Sequence, residues 1–367
     1  MSISDKPTTL NSTDPSTNAL SVHGSFVRAL ETSFPSTILF SEAERLLAKH
    51  MLTIALKNEN VGYWSFFQTP YSVQRILLDQ LVWPGFDNHS LAKKYLIKEK
   101  ITDAIYQNGV EQIIILGGGY DIYGFHTSLN NDHVQVFELD KPGKMRNVKV
   151  TAMRDAWCYN SLSHFTGENQ QDAYSFTLND NYHLICCDMS TDNIKDKLTE
   201  YGFNSDKKTL VIAEGLAMHL NESASRQLLK KQLFPLLSVG SEILISYISS
   251  NTTTLIAHHL LSSRNEAYEF ALSPKKIPLY AANLGYHLTG KMLASDLLKL
   301  ANDDKNASLL TRNQTMPDGR GGESYFCFTK NIKSLDEIKS IELSPIDTIP
   351  IINDTVLRPD KSQNNIL

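Results

Sequence analysis

The chain has 367 residues, 41% of them apolar and 9% aromatic, enough to build a sizeable core in one large domain or two modest ones. Its 35 basic and 40 acidic residues leave a net charge of −5, so no global positive field draws it to nucleic acid or anionic lipid. No apolar run approaches the ~20 residues needed to cross a bilayer, and the polar start lacks the basic-then-apolar order of a signal peptide. The expectation is a cytoplasmic protein with no membrane and no nucleic-acid partner.

In chain order, residues 1–22 are rich in Ser, Thr, Asn and Pro and read as a flexible polar arm. Residues 23–108 read as a helical N-terminal lid. Within it, "SEAERLLAKHMLTIAL" opens on Ser41 with Glu44 three residues on, the spacing of a capping box. "TPYSVQRILLDQLV" puts Val73, Ile76, Leu77 and Leu81 on one face, and "SLAKKYLIKEKITDAIYQ" repeats the pattern with Leu91, Tyr95, Lys98 and the later Ile101 and Ile105.

From 109 to 330 short apolar runs alternate with helical stretches. "EQIIILGGG", "VQVFELD", "YHLICCD", "TLVIAEGL", "EILISYI" and "ESYFCFTK" read as strands, most of them joined by helical crossovers. This predicts an α/β fold with a doubly wound, mostly parallel Rossmann-like sheet. Residues 251–306 read as a helical insertion packed over the strand ends, before the last strand, and 331–367 as a polar tail. Cys158, Cys186, Cys187 and Cys327 form no CxxC pair, and His258-His259 lack the i, i+4 spacing of a metal site, so no metal is expected.

Open parallel sheets bind ligands outside the carboxyl ends of their strands. The first strand here ends in "LGGGYD", where Gly117, Gly118 and Gly119 let a ligand approach the backbone and Asp121 follows. The second ends in Glu138 and Asp140, about 20 residues after the glycines, suited to the two hydroxyls of a ribose. The third ends in Asp188, able to accept from an adenine amine, and the fourth in Glu214, an acid suited to facing a substrate or an ammonium. A dinucleotide-binding GxGxxG turn would need glycine at position 122, where this chain has Ile122, and Asp121 repels a phosphate at the helix start. A cationic, phosphate-free adenosine ligand fits instead, which points to S-adenosylmethionine and disfavours a nicotinamide oxidoreductase.

The sequence resembles the leucine carboxyl methyltransferase family over roughly residues 45 to 330. "LGGGYD" is similar to the family's LGAGxD turn, "VFELDKP" to its strand-two motif, "CCDMSTD" to its strand-three segment and "LVIAEGLAMHLNESASRQLL" to the segment after its fourth strand. The resemblance implies S-adenosylmethionine as cofactor, with S-adenosylhomocysteine as product. It places Asp140 on the ribose, Asp188 and Met189 on the adenine side, and Glu214 near the methionine moiety. Lys49 falls on a family lysine that reaches the cofactor carboxylate, and Lys93 in "SLAKK" on an arginine of the family's lid. Two departures stand out: His126 lies where the family has an arginine, and lysine at 93 keeps the charge but loses the bidentate fork.

The implied reaction is O-methylation of a small molecule or a protein C-terminus. A carboxylate acceptor, with a reference pKa near ~4, needs no base at neutral pH, whereas an alcohol or phenol does. His219 and His126 are the candidate bases, Arg75 a candidate holder of an acidic acceptor, and Tyr63 a candidate stacking partner. The plainer readings are a loop histidine, a surface ion pair and lid packing. A methyltransferase-like binding protein without turnover is the alternative. Sequence alone names neither the acceptor nor the oligomeric state.

Overall fold

The protein is described by a computed structural model covering residues 17–32, 39–58, 86–159, 176–189, 191–249, 268–292 and 323–330. Its centre is Gln112–Leu116 (β1), in which every residue is buried. Ile113 and Ile115 enter one hydrophobic cluster while Ile114 and Leu116 enter another, so the strand is covered on both faces. That is why it reads as an unbroken apolar run rather than an alternating one.

The other strands are Gln135–Asp140 (β2), Phe176–Asn179 (β3), Tyr182–Cys186 (β4), Thr209–Ala213 (β5), Glu242–Ile248 (β6), Tyr286–Met292 (β7) and Glu323–Lys330 (β8). They form an eight-stranded sheet in the order β3-β4-β2-β1-β5-β6-β8-β7. Strands β4, β2, β1, β5 and β6 are parallel neighbours. The edge strand β3 runs antiparallel to β4, and β8 runs antiparallel to both β6 and β7. The chain winds outward from β1 through β2 to β4, then returns to place β5 beside β1. The order therefore reverses between β1 and β5, where a crevice opens above the carboxyl ends.

Helices Thr17–Thr32 (α1), Glu42–Asn58 (α2), Phe86–Tyr106 (α3), Tyr123–Asn130 (α4) and Lys144–Tyr159 (α5) lie on one side of the sheet. Leu20, Phe26, Met51, Leu91, Ile97, Phe125 and Val148 from these helices share one cluster with Ile113, Ile115 and Val136. The opposite face is covered by Ile194–Glu200 (α6), by Glu222–Arg226 (α7) with its continuation to Leu236, and by Ile277–Asn283 (α8). The capping box at α2 is formed: Ser41 N–H donates to Glu44 Oε2 at 2.7 Å, and Glu44 N–H to Ser41 Oγ at 3.3 Å.

Two boundaries are corrected. The polar arm does not extend to residue 22, because α1 starts at Thr17. Leu20, Phe26, Val27 and Leu30 are spaced to form one buried face, which the Ser/Thr/Asn composition hides. The 251–306 segment is not helical throughout, since after α8 it forms β7. That strand alternates exposed His287, Thr289 and Lys291 with more buried neighbours, the period-2 mark of a half-covered outer strand. The final tail, 331–367, lies outside the described residues. Among the described residues no helix is long and apolar enough to cross a membrane.

Candidate active site

The turn after β1 is shaped by two glycines with positive φ, Gly117 at 67° and Gly119 at 53°. Side chains rarely adopt that conformation, so glycine is required at both positions. The turn is held from the next strand. Asp140 Oδ2 accepts from Gly119 N–H at 2.7 Å, its Oδ1 accepts from Lys141 N–H at 2.8 Å, and Gly117 N–H donates to Leu139 O at 2.8 Å. Below the turn Glu138 is wholly buried, ion-paired with Lys149 and accepting from Tyr182 Oη at 2.9 Å. A Cβ on Gly118 would come within 2.2 Å of Glu138 Oε1.

A charged cluster stands beside the turn. Lys93 pairs with Glu214 Oε1 at 3.0 Å and Glu323 Oε2 at 3.3 Å, while Lys94 pairs with Glu214 Oε2 at 2.6 Å and Asp121 Oδ2 at 3.3 Å. Asp121 Oδ1 also accepts from Tyr123 N–H at 2.8 Å at the start of α4. Burial opposes every charge here, and the neighbours decide the outcome. Burial alone would lower both lysines, but Glu323 and Glu214 around Lys93, and Asp121 and Glu214 around Lys94, hold them raised. Burial would raise Glu214, yet Lys94 and Lys93 keep it lowered. Asp121 stays raised, because burial and Glu214 outweigh Lys94.

Both groups open onto one cavity of about 400 Å³ at the β1/β5 switch point. Gly117, Gly119, Asp121, Asp140, Met189, Lys93, Glu214 and His219 all line it, so eight of the sequence-chosen residues converge. His219 additionally packs its ring against Tyr268, with centroids 5.5 Å apart.

Other choices fall elsewhere. Lys49 is a surface residue paired with Glu31 at 2.7 Å and does not line the cavity: its helical position points it to solvent. Glu138 lies beneath the turn rather than in the cavity, because strand alternation sends Glu138 and Asp140 to the side of the sheet that Gly118 closes, and only the strand-end residue reaches the rim. Asp188 sits outside the lining, partly exposed, with Lys141 Nζ at 3.3 Å. His126 also lies outside it, facing Glu44 at 3.6 Å. Tyr63 and Arg75 lie outside the described residues.

Sequence reasoning missed Lys94, His23, Met145, Leu216 and Glu269, which also line the cavity. Lys94 was legible as the neighbour of Lys93. Glu269 lies in the 251–306 stretch, which reads only as a helical insertion with no residue in it singled out.

The residues present fit S-adenosylmethionine. Two glycines open the backbone to the cavity, Asp140 supplies a carboxylate at the end of the neighbouring strand, and Ile115, Leu116, Met145, Met189 and Leu216 supply apolar walls. The ionisable lysines and acids of the lining are Lys93, Lys94 and Lys141 against Asp121, Asp140, Glu214 and Glu269, one net negative charge when all are ionised. A sulfonium and an ammonium against one carboxylate give the cofactor one net positive charge, whereas a dinucleotide brings two phosphates. Among the described residues no cluster of His, Cys, Asp or Glu is arranged to hold a metal.

The family model for leucine carboxyl methyltransferase matches residues 22–232, more than half of the chain. No curated relative matches the sequence. A DUF574 family protein from Streptomyces avermitilis is similar in structure, with a TM-score of 0.51, 11% identity, and coverage of 76% of this chain and 99% of that one. A Thermobifida fusca chain assigned to the methyltransferases gives a TM-score of 0.49 and 11% identity, covering 90% of this chain and 100% of its own. Magnesium protoporphyrin IX methyltransferase from Synechocystis, solved with S-adenosylhomocysteine, gives 0.39 and 10%, covering 76% and 99%.

Proposed function

Because the chain belongs to the leucine carboxyl methyltransferase family, and is thus an S-adenosylmethionine-dependent methyltransferase, we propose that this cavity carries out O-methylation of a carboxylate or hydroxyl. The acceptor is a small molecule or a protein C-terminus. The observation that carries this reading is the meeting of the glycine turn, Asp140 and the Lys93–Lys94–Glu214 cluster in one cavity.

The bound cofactor supplies an already activated methyl group, so the protein's task is alignment and exclusion of water. Asp140 fixes the turn and faces the ribose end. Glu214 is gripped by two lysines, and Lys93 and Lys94 are the cavity-lining cations of this cluster that a carboxylate of the ligand would meet. A carboxylate acceptor is ionised at neutral pH and attacks without a base. For a hydroxyl acceptor, His219 at the Leu216–Leu220 side of the cavity is the group placed to take the proton.

The test is transfer of labelled methyl from S-adenosylmethionine to a panel of carboxylic acids, phenols and C-terminal peptides. Alkali-labile product identifies an ester, and alkali-stable product an ether. Label retained only on nitrogen or sulfur would refute O-methylation.

A further inference from the structure

Helix α1 brings three residues, Ala19, Val22 and His23, into the wall of the cavity. Ala19 packs over Gly119, whose added Cβ would stand 3.6 Å from the Ala19 Cβ. The helix is fastened to α3 by Arg28, which donates to both oxygens of Asp87 at 2.8 and 3.2 Å and to Ser25 Oγ at 2.7 Å.

His23 is 3% exposed, and its ring packs against Tyr120 and Phe26 with centroids 5.8 and 6.3 Å apart. Its Nε2 lies 2.9 Å from Ala48 O on α2. A carbonyl only accepts, so Nε2 carries the proton and Nδ1 the lone pair. Among the described residues no group bonds Nδ1. Burial, with Lys94 and Lys149 nearby, lowers the imidazole to about 4. The ring is therefore neutral at physiological pH, and its Nδ1 is an acceptor, not a charge, on a residue that lines the cavity.

The acids at this end of the cavity are already spoken for, since Lys94 spans Asp121 and Glu214 and Lys93 holds the other oxygen of Glu214. A ligand ammonium entering beside them gains from a neutral acceptor that the lysines have not occupied. We propose that His23 Nδ1 accepts a hydrogen bond from the ammonium of the cofactor's amino-acid end, making α1 a part of the binding site and not only its cover. This rests on the assignment of the cavity to S-adenosylmethionine.

The test is calorimetric titration of the full chain at pH 7.5 with S-adenosylhomocysteine and with 5′-methylthioadenosine, which lacks the amino-acid end. His23→Gln keeps a donor for Ala48 O but loses the Nδ1 acceptor. His23→Asn offers an oxygen near the Nδ1 position but does not reach Ala48. The expected result for His23→Gln is a loss of about 10-fold for S-adenosylhomocysteine with methylthioadenosine nearly unchanged, and for His23→Asn a loss under about 3-fold. If His23→Asn is the weaker of the two, or both ligands weaken equally, His23 serves only to dock α1 and the proposal is overturned. Hydrogen exchange of the α1 amides separates a loosened helix from a lost ligand contact. A wild-type protein silent toward both ligands would instead overturn the assignment of the cavity itself, and the proposal with it.

Discussion

Asp140, the last residue of β2, holds Gly119 of the β1 turn through a 2.7 Å hydrogen bond across 21 positions of sequence. The same carboxylate lines the cavity, so it holds the glycine turn and forms part of the cavity wall at once. Asp140→Ala is expected to weaken S-adenosylhomocysteine binding by about 1–3 kcal/mol, with Asp140→Asn closer to wild type because its amide oxygen still accepts from the turn. Calorimetry on both variants checks this, and an unchanged affinity for Asp140→Ala would place the ribose elsewhere.

Gly118 sits against a buried carboxylate. Its added Cβ would meet Glu138 Oε1 at 2.2 Å and Cδ at 2.7 Å, and Glu138 is held by Lys149 and Tyr182. Gly118→Ala is expected to cost about 3 kcal/mol, the upper part of the overpacking range, because the displaced group is a paired charge. The midpoint of urea unfolding measures it; a shift corresponding to under about 0.5 kcal/mol would mean that Glu138 has room to move.

Lys94 and Lys49 give a paired contrast. Lys94 is buried between Asp121 and Glu214, and its removal leaves two buried acids facing each other. Lys94→Met is expected to cost about 3–5 kcal/mol. Lys49 is 63% exposed in its pair with Glu31, and Lys49→Ala should change stability by less than about 1 kcal/mol and leave cofactor affinity untouched. Equal effects from the two would contradict the placement of both lysines.

Acid should loosen the fold partly through His23. Its pKa falls from 6.5 to about 4 in the folded chain, chiefly by burial. As pH drops through 6.5 the unfolded chain takes up this proton first, so stability is present above that pH and falls between 6.5 and about 4, by at most about 3 kcal/mol. His183, also lowered to about 4, acts in the same window and in the same direction. Comparing wild type with His23→Gln cancels its contribution. The variant should lose less stability than wild type between pH 7 and 4.5, and equal losses would show that His23 titrates normally.

The parallel core was legible because strands buried on both faces leave unbroken apolar runs, as in "QIIIL". The outer strands were less so: β7 exposes every second residue, and its neighbours carry helical signals. At the site, the strand-end rule located Gly117, Asp140 and Glu214 because chain direction alone puts them at the crevice. It could not separate Asp140, at the rim, from Glu138, two residues earlier and sealed under Gly118. Family likeness put Lys49 in the site, whereas the helix turns it to water and Lys94 joins Lys93 in the cluster. Composition hid only the first turns of α1, since Thr17–Val22 carry Ser, Thr and Asn and read as a polar arm, while the rest of the helix fell in the predicted lid.

The most direct test of the central claim is titration of the wild-type protein with S-adenosylmethionine, S-adenosylhomocysteine and NAD, coupled to hydrogen exchange of the bound state. Micromolar binding of the first two, none of the third, and slowed exchange in residues 117–121 and in α1 is the predicted result. Binding of NAD, or S-adenosylmethionine binding that leaves those amides unprotected, would contradict it.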